Sequence, residues 1–529
     1  MRVENPVIPG FNPDPSLLRV GKDYYIVTST FEWFPGLCIY HSTDLVNWEA
    51  VDYALKDDQV LDMTGIDAAC GVWAPNLTYC DGMFYLCYTV VYTNRKRHKD
   101  TYNYLTMAPS VHGPWTKPIP MTRSGFDPSL FHDTDGRKYF VNMTLDYRDG
   151  TNRFSGIDVQ EFDLQTGKLT GEPVRVFKGT WRGSTEGPNI FKRGEYYYLV
   201  CAEGDTATNH CTVVCRSKNV FGPYEEDPNN PILTAVGNDD CLLKRAGHSQ
   251  IVDSPDGKEW YMAHLCARPL DGYSILGRET AIQNMEWTED GWIRIKDTHN
   301  GAPKETFTVP YEVIQNKDHS LFTDFSKETD IPIDYMTLRR SAKTQGIRLE
   351  DGVLRITGGC SLFSKYHQGL LARRQQAFHA DFSACMKFEP RHLNHVAGIQ
   401  VYYNYDNYIN LKMTRDDEGK VLNVTTLDNT VVSDSEWVHI PEDTQAVSMK
   451  MEIRGGEVRL FYYLGDAKKD SAQAEDWKQI GGVGDVHKIS DEYIEGNGFT
   501  GSMLGVSCQD LQGDGVHADF LWIDYQELW

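Results

Sequence analysis

The 529-residue chain has no apolar run long enough to span a membrane, and its opening residues, Met1-Arg-Val-Glu-Asn-Pro-Val, lack the apolar stretch of a secretory signal. A cytoplasmic protein is the expectation. Basic residues are few: 52 Lys and Arg stand against 75 Asp and Glu, a formal net charge of −23. That balance disfavours nucleic acid and acidic membrane surfaces as partners and leaves neutral ligands such as sugars open. No CxxC pair occurs, and no Cys/His cluster has zinc spacing. The 12 cysteines are scattered, several inside apparent strands (Cys87, Cys201, Cys215, Cys385). They read as small apolar groups, which fits a reducing compartment better than disulfides or metal ligands do. Helical periodicity is almost absent from the first 300 or so residues.

In its place there is a repeat. Gly21-Lys-Asp-Tyr-Tyr-Ile-Val, Gly82-Met-Phe-Tyr-Leu-Cys, Gly136-Arg-Lys-Tyr-Phe-Val, Gly194-Glu-Tyr-Tyr-Tyr-Leu-Val and Gly257-Lys-Glu-Trp-Tyr-Met-Ala each place an aromatic strand after a glycine turn, about every 60 residues. Upstream of each turn stands a short apolar strand with a polar lead-in: Asp14-Pro-Ser-Leu, Ala74-Pro-Asn-Leu, Asp127-Pro-Ser-Leu, Glu186-Gly-Pro-Asn-Ile and His248-Ser-Gln-Ile. His112-Gly-Pro-Trp and Phe221-Gly-Pro-Tyr are two copies of a further blade element. The pattern predicts an all-β fold, a five-bladed β-propeller over residues 1–300. Residues 301–317 lose the pattern and read as a linker. Alternating strands without a repeat then predict a β-sandwich of jelly-roll type over 318–529, including Gly352-Val-Leu-Arg-Ile-Thr, Gly398-Ile-Gln-Val-Tyr-Tyr and Ala518-Asp-Phe-Leu-Trp-Ile-Asp-Tyr.

A ring of five blades would gather Asp14, Asp127 and Glu186 at one central hole. Singly, Asp14 and Asp127 are as easily turn residues between prolines. Glu186 is harder to explain that way, because Glu forms turns poorly and no helix follows for it to cap. Together they supply the parts of acetal hydrolysis: a protonated acid for the leaving oxygen, a carboxylate for water or carbon, and a third charge that raises the acid's pKa. Flat rings that stack on sugars are near: Phe31, Trp33, Phe34 and Trp73. Blade packing is the competing role for Trp33 or Phe34, and Trp73 is the better ligand candidate. His248, in the fifth blade's slot, reads either as a structural histidine bonded to channel water or as a ligand to a central cation. Arg278 reads either as a surface ion pair or as an inward group for sugar hydroxyls or the Asp14 carboxylate.

The set Gly10-Phe-Asn-Pro-Asp-Pro-Ser, Ser29-Thr-Phe-Glu-Trp-Phe-Pro-Gly, Gly71-Val-Trp-Ala-Pro, Phe126-Asp-Pro-Ser-Leu-Phe, Thr185-Glu-Gly-Pro, Ala246-Gly-His and Leu276-Gly-Arg-Glu-Thr-Ala-Ile-Gln resembles, in order, the β-xylosidases of glycoside hydrolase family 43, and continues to Phe499-Thr-Gly. The resemblance implies a propeller with an appended concanavalin-like sandwich and exo-acting, inverting hydrolysis of neutral oligosaccharides, releasing xylose or α-L-arabinofuranosyl units. It assigns Asp14 as general base, Glu186 as general acid and Asp127 as the residue tuning Glu186. Phe31, Trp73, Arg278 and Thr206 would hold the terminal sugar, with His248 below, near a calcium or water cluster in some relatives. No required cofactor is implied. A homo-oligomer, dimer or tetramer, with the sandwich contributing contacts, is. Two departures stand out: Leu145 occupies a position where relatives tend to carry Trp, and Met503 one where the closing loop carries Phe, so each is expected to remove an aromatic platform from the pocket. A lectin-like binding protein and a retaining fructoside hydrolase are the rival readings, but the second would need an Asn-Asp-Pro-Asn-Gly motif where this chain has Asn12-Pro-Asp-Pro-Ser.

Overall fold

The computed structural model describes every residue except Lys96 and His299. Five antiparallel sheets follow one another along the chain, each with its first strand innermost. The inner strands are Ser16–Val20, Gly71–Cys80, Ser129–His132, Glu186–Arg193 and Lys244–Asp253. Each returns as the aromatic strand of the repeat. The returning turns use Gly21, Gly82, Gly136, Gly194 and Gly257 at φ of +63, +79, +89, +61 and +69°, with open space around each Cα. Backbone conformation, not crowding, therefore demands glycine there.

Polar residues just after the lead-in stitch neighbouring blades together in four of the five blades. Ser16 Oγ accepts from Leu77 N–H (2.7 Å) and donates to Gln250 (3.1 Å). Asn76 Oδ1 accepts from Leu130 N–H (3.1 Å), and Asn189 Nδ2 donates to Ser249 C=O (2.9 Å). The ring is closed beside the fifth blade by the N-terminus. Asn5 exchanges hydrogen bonds with Ile282, and Arg2–Glu4 pairs with Thr306–Thr308, a strand inside the segment read as a linker.

Residues beyond 320 form two sheets, of eight and nine strands, packed face to face. Leu354, Phe382, Met451, Leu460 and Phe520 from one sheet meet Ile399, Leu411 and Val506 from the other in a closed apolar core. One strand of the nine comes from the propeller. Trp33–Phe34 leaves the first blade between its second and third strands and pairs with Met336–Leu338. Trp33 and Phe34 are thus buried between the first blade and the sandwich sheet. Among the described residues the helical elements are two three-residue turns, Ala474–Asp476 and Val486–Lys488, and no helix is long and apolar enough to cross a membrane.

Candidate active site

Asp14, Asp127 and His248 enter their inner strands at φ of +57, +53 and +52°, a left-handed turn that non-glycine residues adopt at a cost of about 1–3 kcal/mol each. The turn swings each side chain from the sheet toward the propeller axis. In the fourth blade the same left-handed slot is held by Gly187 (φ +57°), so Glu186 stands one residue earlier than its counterparts. The displacement has two local reasons. A Cβ at Gly187 would come within 3.1 Å of the His248 ring, and Gly187 N–H donates to Asp127 Oδ2 at 2.9 Å. The sequence repeat had placed Glu186 in the common slot; the structure moves it one position and uses the freed amide to hold Asp127.

One cavity of about 290 Å³ takes in Asp14, Asp127, Glu186, Phe31, Trp73, Thr206, His248 and Arg278. Eight of the nine residues singled out for the site therefore share it. Met503 does not: it is fully buried in the core, on a strand paired with Arg374 and Tyr402, and the aromatic ring that the closing loop supplies is Phe499. Leu145 also lies off the lining. It pairs across the blade with Phe154, which does line the cavity and meets Phe126 edge-on at 6.0 Å.

The three acids are 6, 6 and 7% exposed (Asp14, Asp127, Glu186), yet their surroundings drive them apart. Burial alone would raise Asp14, but Arg278, His248 and the Ser29 hydroxyl outweigh it and hold this carboxyl below the usual carboxylate range. Arg278 Nη1 lies 3.1 Å from Asp14 Oδ1, and Ser29 Oγ donates to Oδ2 at 2.7 Å. Arg278 is thus the inward group, not a surface ion pair. Glu186 is pushed up to about 7 by burial and by the charges of Asp14 and Asp205, against the pull of Lys99 and Arg278. Asp127 rises well above its ordinary value through burial and the neighbouring Glu186 and Asp14 charges. Asp127 and Glu186 thus behave as a pair that retains a proton near neutrality, while Asp14 stays ionised.

Burial also lowers the pKa of His248, whose Nδ1 sits 3.9 Å from Asp14 Oδ1. Calcium takes six to eight oxygen ligands. The carboxylate beside His248 is that of Asp14, already engaged by Arg278 and Ser29, and among the described residues no cluster of three or more His, Cys, Asp or Glu side chains is arranged to hold a metal. These residues do not fit a calcium shell, and no step is assigned to one.

Aromatic rings wall the cavity. Trp73 packs against Phe31 (5.8 Å), Phe126 (5.5 Å) and Phe499 (5.6 Å). Phe499 arrives from the sandwich, where its C=O accepts from Arg278 Nη2 at 3.1 Å. The approach is backbone on backbone: a Cβ on Gly277 would lie 2.3 Å from Thr500 O, and one on Gly501 2.7 Å from Leu276 O. Lys99, absent from the sequence reading, places Nζ 4.7 Å from the Trp73 ring centre and bonds Asn94 Oδ1 at 2.5 Å; burial and Arg153 lower it to about 8. A signal existed, since residues 95–99 are uniformly basic in a strongly acidic chain. Phe154, Arg153 and Asn497 had no such signal.

Carboxylates held in unequal protonation states within one sugar-sized, aromatic-walled cavity serve acetal hydrolysis, and they make the chain a glycoside hydrolase. Comparison with known proteins sharpens the class. Residues 3–293 match the glycosyl hydrolases family 43 profile, and residues 323–526 match the β-xylosidase C-terminal concanavalin A-like domain. A β-xylosidase of Bacillus subtilis (strain 168) is 40% identical over 100% of both chains, and a xylosidase/arabinosidase 43B of Humicola insolens is 40% identical over 100% of this chain and 98% of its own. The crystal structure of a xylan β-1,4-xylosidase from Bacillus halodurans C-125 superposes with a TM-score of 0.95 at 41% identity, covering 99% of this chain and 100% of that one. The chain belongs to glycoside hydrolase family 43.

Proposed function

We propose that the protein releases single xylosyl units from the non-reducing ends of xylo-oligosaccharides by inverting hydrolysis. The observation that carries the reading is the unequal partnering of three buried acids in one cavity, Asp14 by Arg278 and Ser29 and Asp127 by the Gly187 amide, beside a ring supplied by a second domain. Asp14, ionised by Arg278 and Ser29, takes a proton from water as it attacks the anomeric carbon; Glu186, kept protonated by burial and by its acidic neighbours, gives its proton to the leaving oxygen. Asp127 orients the pair through the Gly187 amide and keeps the proton from leaving. Phe31, Trp73 and Phe499 stack on the terminal sugar while Arg278 and Thr206 bond its hydroxyls. The seating of Thr500 and Gly501 against the propeller closes one side of the cavity, which favours a chain end over a chain interior.

An α-L-arabinofuranosyl unit is the second substrate in this reading, because a furanose can present a similar set of hydroxyls to the same groups. The Humicola insolens relative carries both activities in its name. The reading also places the enzyme in the cytoplasm, in keeping with 12 free cysteines, and as a dimer or tetramer with contacts through the sandwich. Product analysis with xylobiose, arabino-oligosaccharides, 4-nitrophenyl xyloside and 4-nitrophenyl arabinofuranoside is the test. Xylose is expected as the first and dominant product. Absence of turnover on all four would overturn the assignment.

A further inference from the structure

The sandwich touches the cavity through Phe499, but it also reaches the adjoining wall of Phe31 and Trp73 by a second route that passes through Glu32. Glu32 follows Phe31 and precedes the strand that joins the sandwich sheet, and its side chain is 1% exposed. Its backbone C=O accepts from Arg339 N–H of the sandwich at 2.8 Å. Its carboxylate Oε2 accepts from Ala69 N–H at 3.1 Å, and Ala69 C=O accepts from the Trp73 indole N–H at 3.1 Å. Arg339 grips the same loop from its other end, donating Nε to Ile66 C=O at 2.7 Å and Nη1 to Gln368 Oε1 at 2.9 Å.

The loop so held is conformationally costly. Ala69 sits at φ +59°, and Gly71, at φ +92°, is so close to Phe31 that a Cβ there would lie 2.2 Å from the Phe31 carbonyl oxygen. Phe31 and Val72 exchange backbone hydrogen bonds at 2.9 Å each way. Left-handed non-glycine residues persist only where surrounding contacts over-determine them. Here those contacts come from a buried carboxylate and a buried guanidinium, neither of which touches the cavity. Trp73, its one N–H spent on Ala69, is left to face the cavity with its ring.

We infer that Glu32 is a positioning residue for the sugar-binding wall: with Arg339 it fixes the loop 66–69 so that Trp73 and Phe31 keep the geometry needed to stack on the terminal sugar. The inference rests on the hydrolase reading above, and it assigns to the sandwich a part in substrate binding beyond the Phe499 contact. Glu32 takes no part in proton transfer, so its loss should show in KM and not in kcat.

The experiment compares Glu32→Gln, Glu32→Ala and Glu32→Asp with the wild type in kcat and KM on 4-nitrophenyl xyloside, on protein shown to be folded by circular dichroism and thermal melting. Gln keeps an oxygen that can accept from Ala69 N–H, so KM within about threefold of wild type is expected. Ala removes the acceptor, and a KM rise of about tenfold with kcat nearly unchanged is expected, the worth of one misplaced stacking ring. Asp keeps the charge but is one methylene short, and it should behave like Ala; it decides the matter if the Ala variant does not fold. Wild-type KM in folded Ala or Asp variants would overturn the inference, as would equal losses in Gln and Ala or a fall in kcat at constant KM. A wild type inactive on this and the other glycosides would instead sink the hydrolase reading itself.

Discussion

The two halves of the molecule use buried strands to opposite ends. In the sandwich, facing strands fill the space between sheets with Leu354, Phe382, Met451 and Leu460. In the propeller, three carboxylates, His248 and Arg278 meet at the axis, all nearly buried. The first arrangement is what apolar burial favours unaided. The second persists only because Ser29, Arg278 and the Gly187 amide partner the charges, and because left-handed turns at Asp14, Asp127 and His248 aim them inward. Chemistry sits where the fold opposes its own packing preference.

Substitutions can test that contrast. The largest effect is expected for Asp14→Asn, which removes the base while leaving a side chain of the same shape: kcat/KM should fall by about 10³-fold or more on every substrate, whatever its leaving group. Asp127→Asn should cost about 10²-fold and should also move the basic limb of the pH–rate profile to lower pH, since a neutral amide no longer opposes ionisation of Glu186. Phe499→Ala should raise KM about tenfold with little change in kcat, because it removes a stacking ring and no proton carrier. At the other extreme, Leu460→Ala in the sandwich core should lower stability by about 2–5 kcal/mol in thermal or denaturant melts and leave the KM of the folded enzyme unchanged. A core substitution that altered KM as strongly as Phe499→Ala would erase the distinction between the two regions.

Much of the propeller was legible because its signals are local. A turn glycine, an aromatic strand and a polar lead-in lie within about a dozen residues of one another, and their recurrence fixes blade number. The acids were legible for the same reason, as odd side chains in recurring slots. What escaped depends on distant pairings or on backbone conformation. The one-residue displacement of Glu186 follows from the left-handed turn at Gly187 and the bulk of His248, 61 positions further on, neither of which shows in the repeat. That Trp33 and Phe34 also pair with the sandwich is hidden because nothing near them announces a partner strand at 336–338. Met503 is expected at the pocket because the resemblance sets it where relatives carry Phe, but the extended strand it begins carries it into the core. Lys99 was visible only as charge of the minority sign.

The central claim, that Asp14 is ionised while Glu186 holds its proton near neutrality, is tested most directly by the pH dependence of kcat/KM for the wild type and Glu186→Gln on a substrate with a poor leaving group. In the wild type the rate should fall as pH rises through about 7, as Glu186 loses its proton, and should fall on the acid side only below the ordinary carboxylate range, as Asp14 gains one. In Glu186→Gln the alkaline fall should vanish along with most of the rate. An alkaline limb that survives unchanged in that variant would contradict the assignment of the acid.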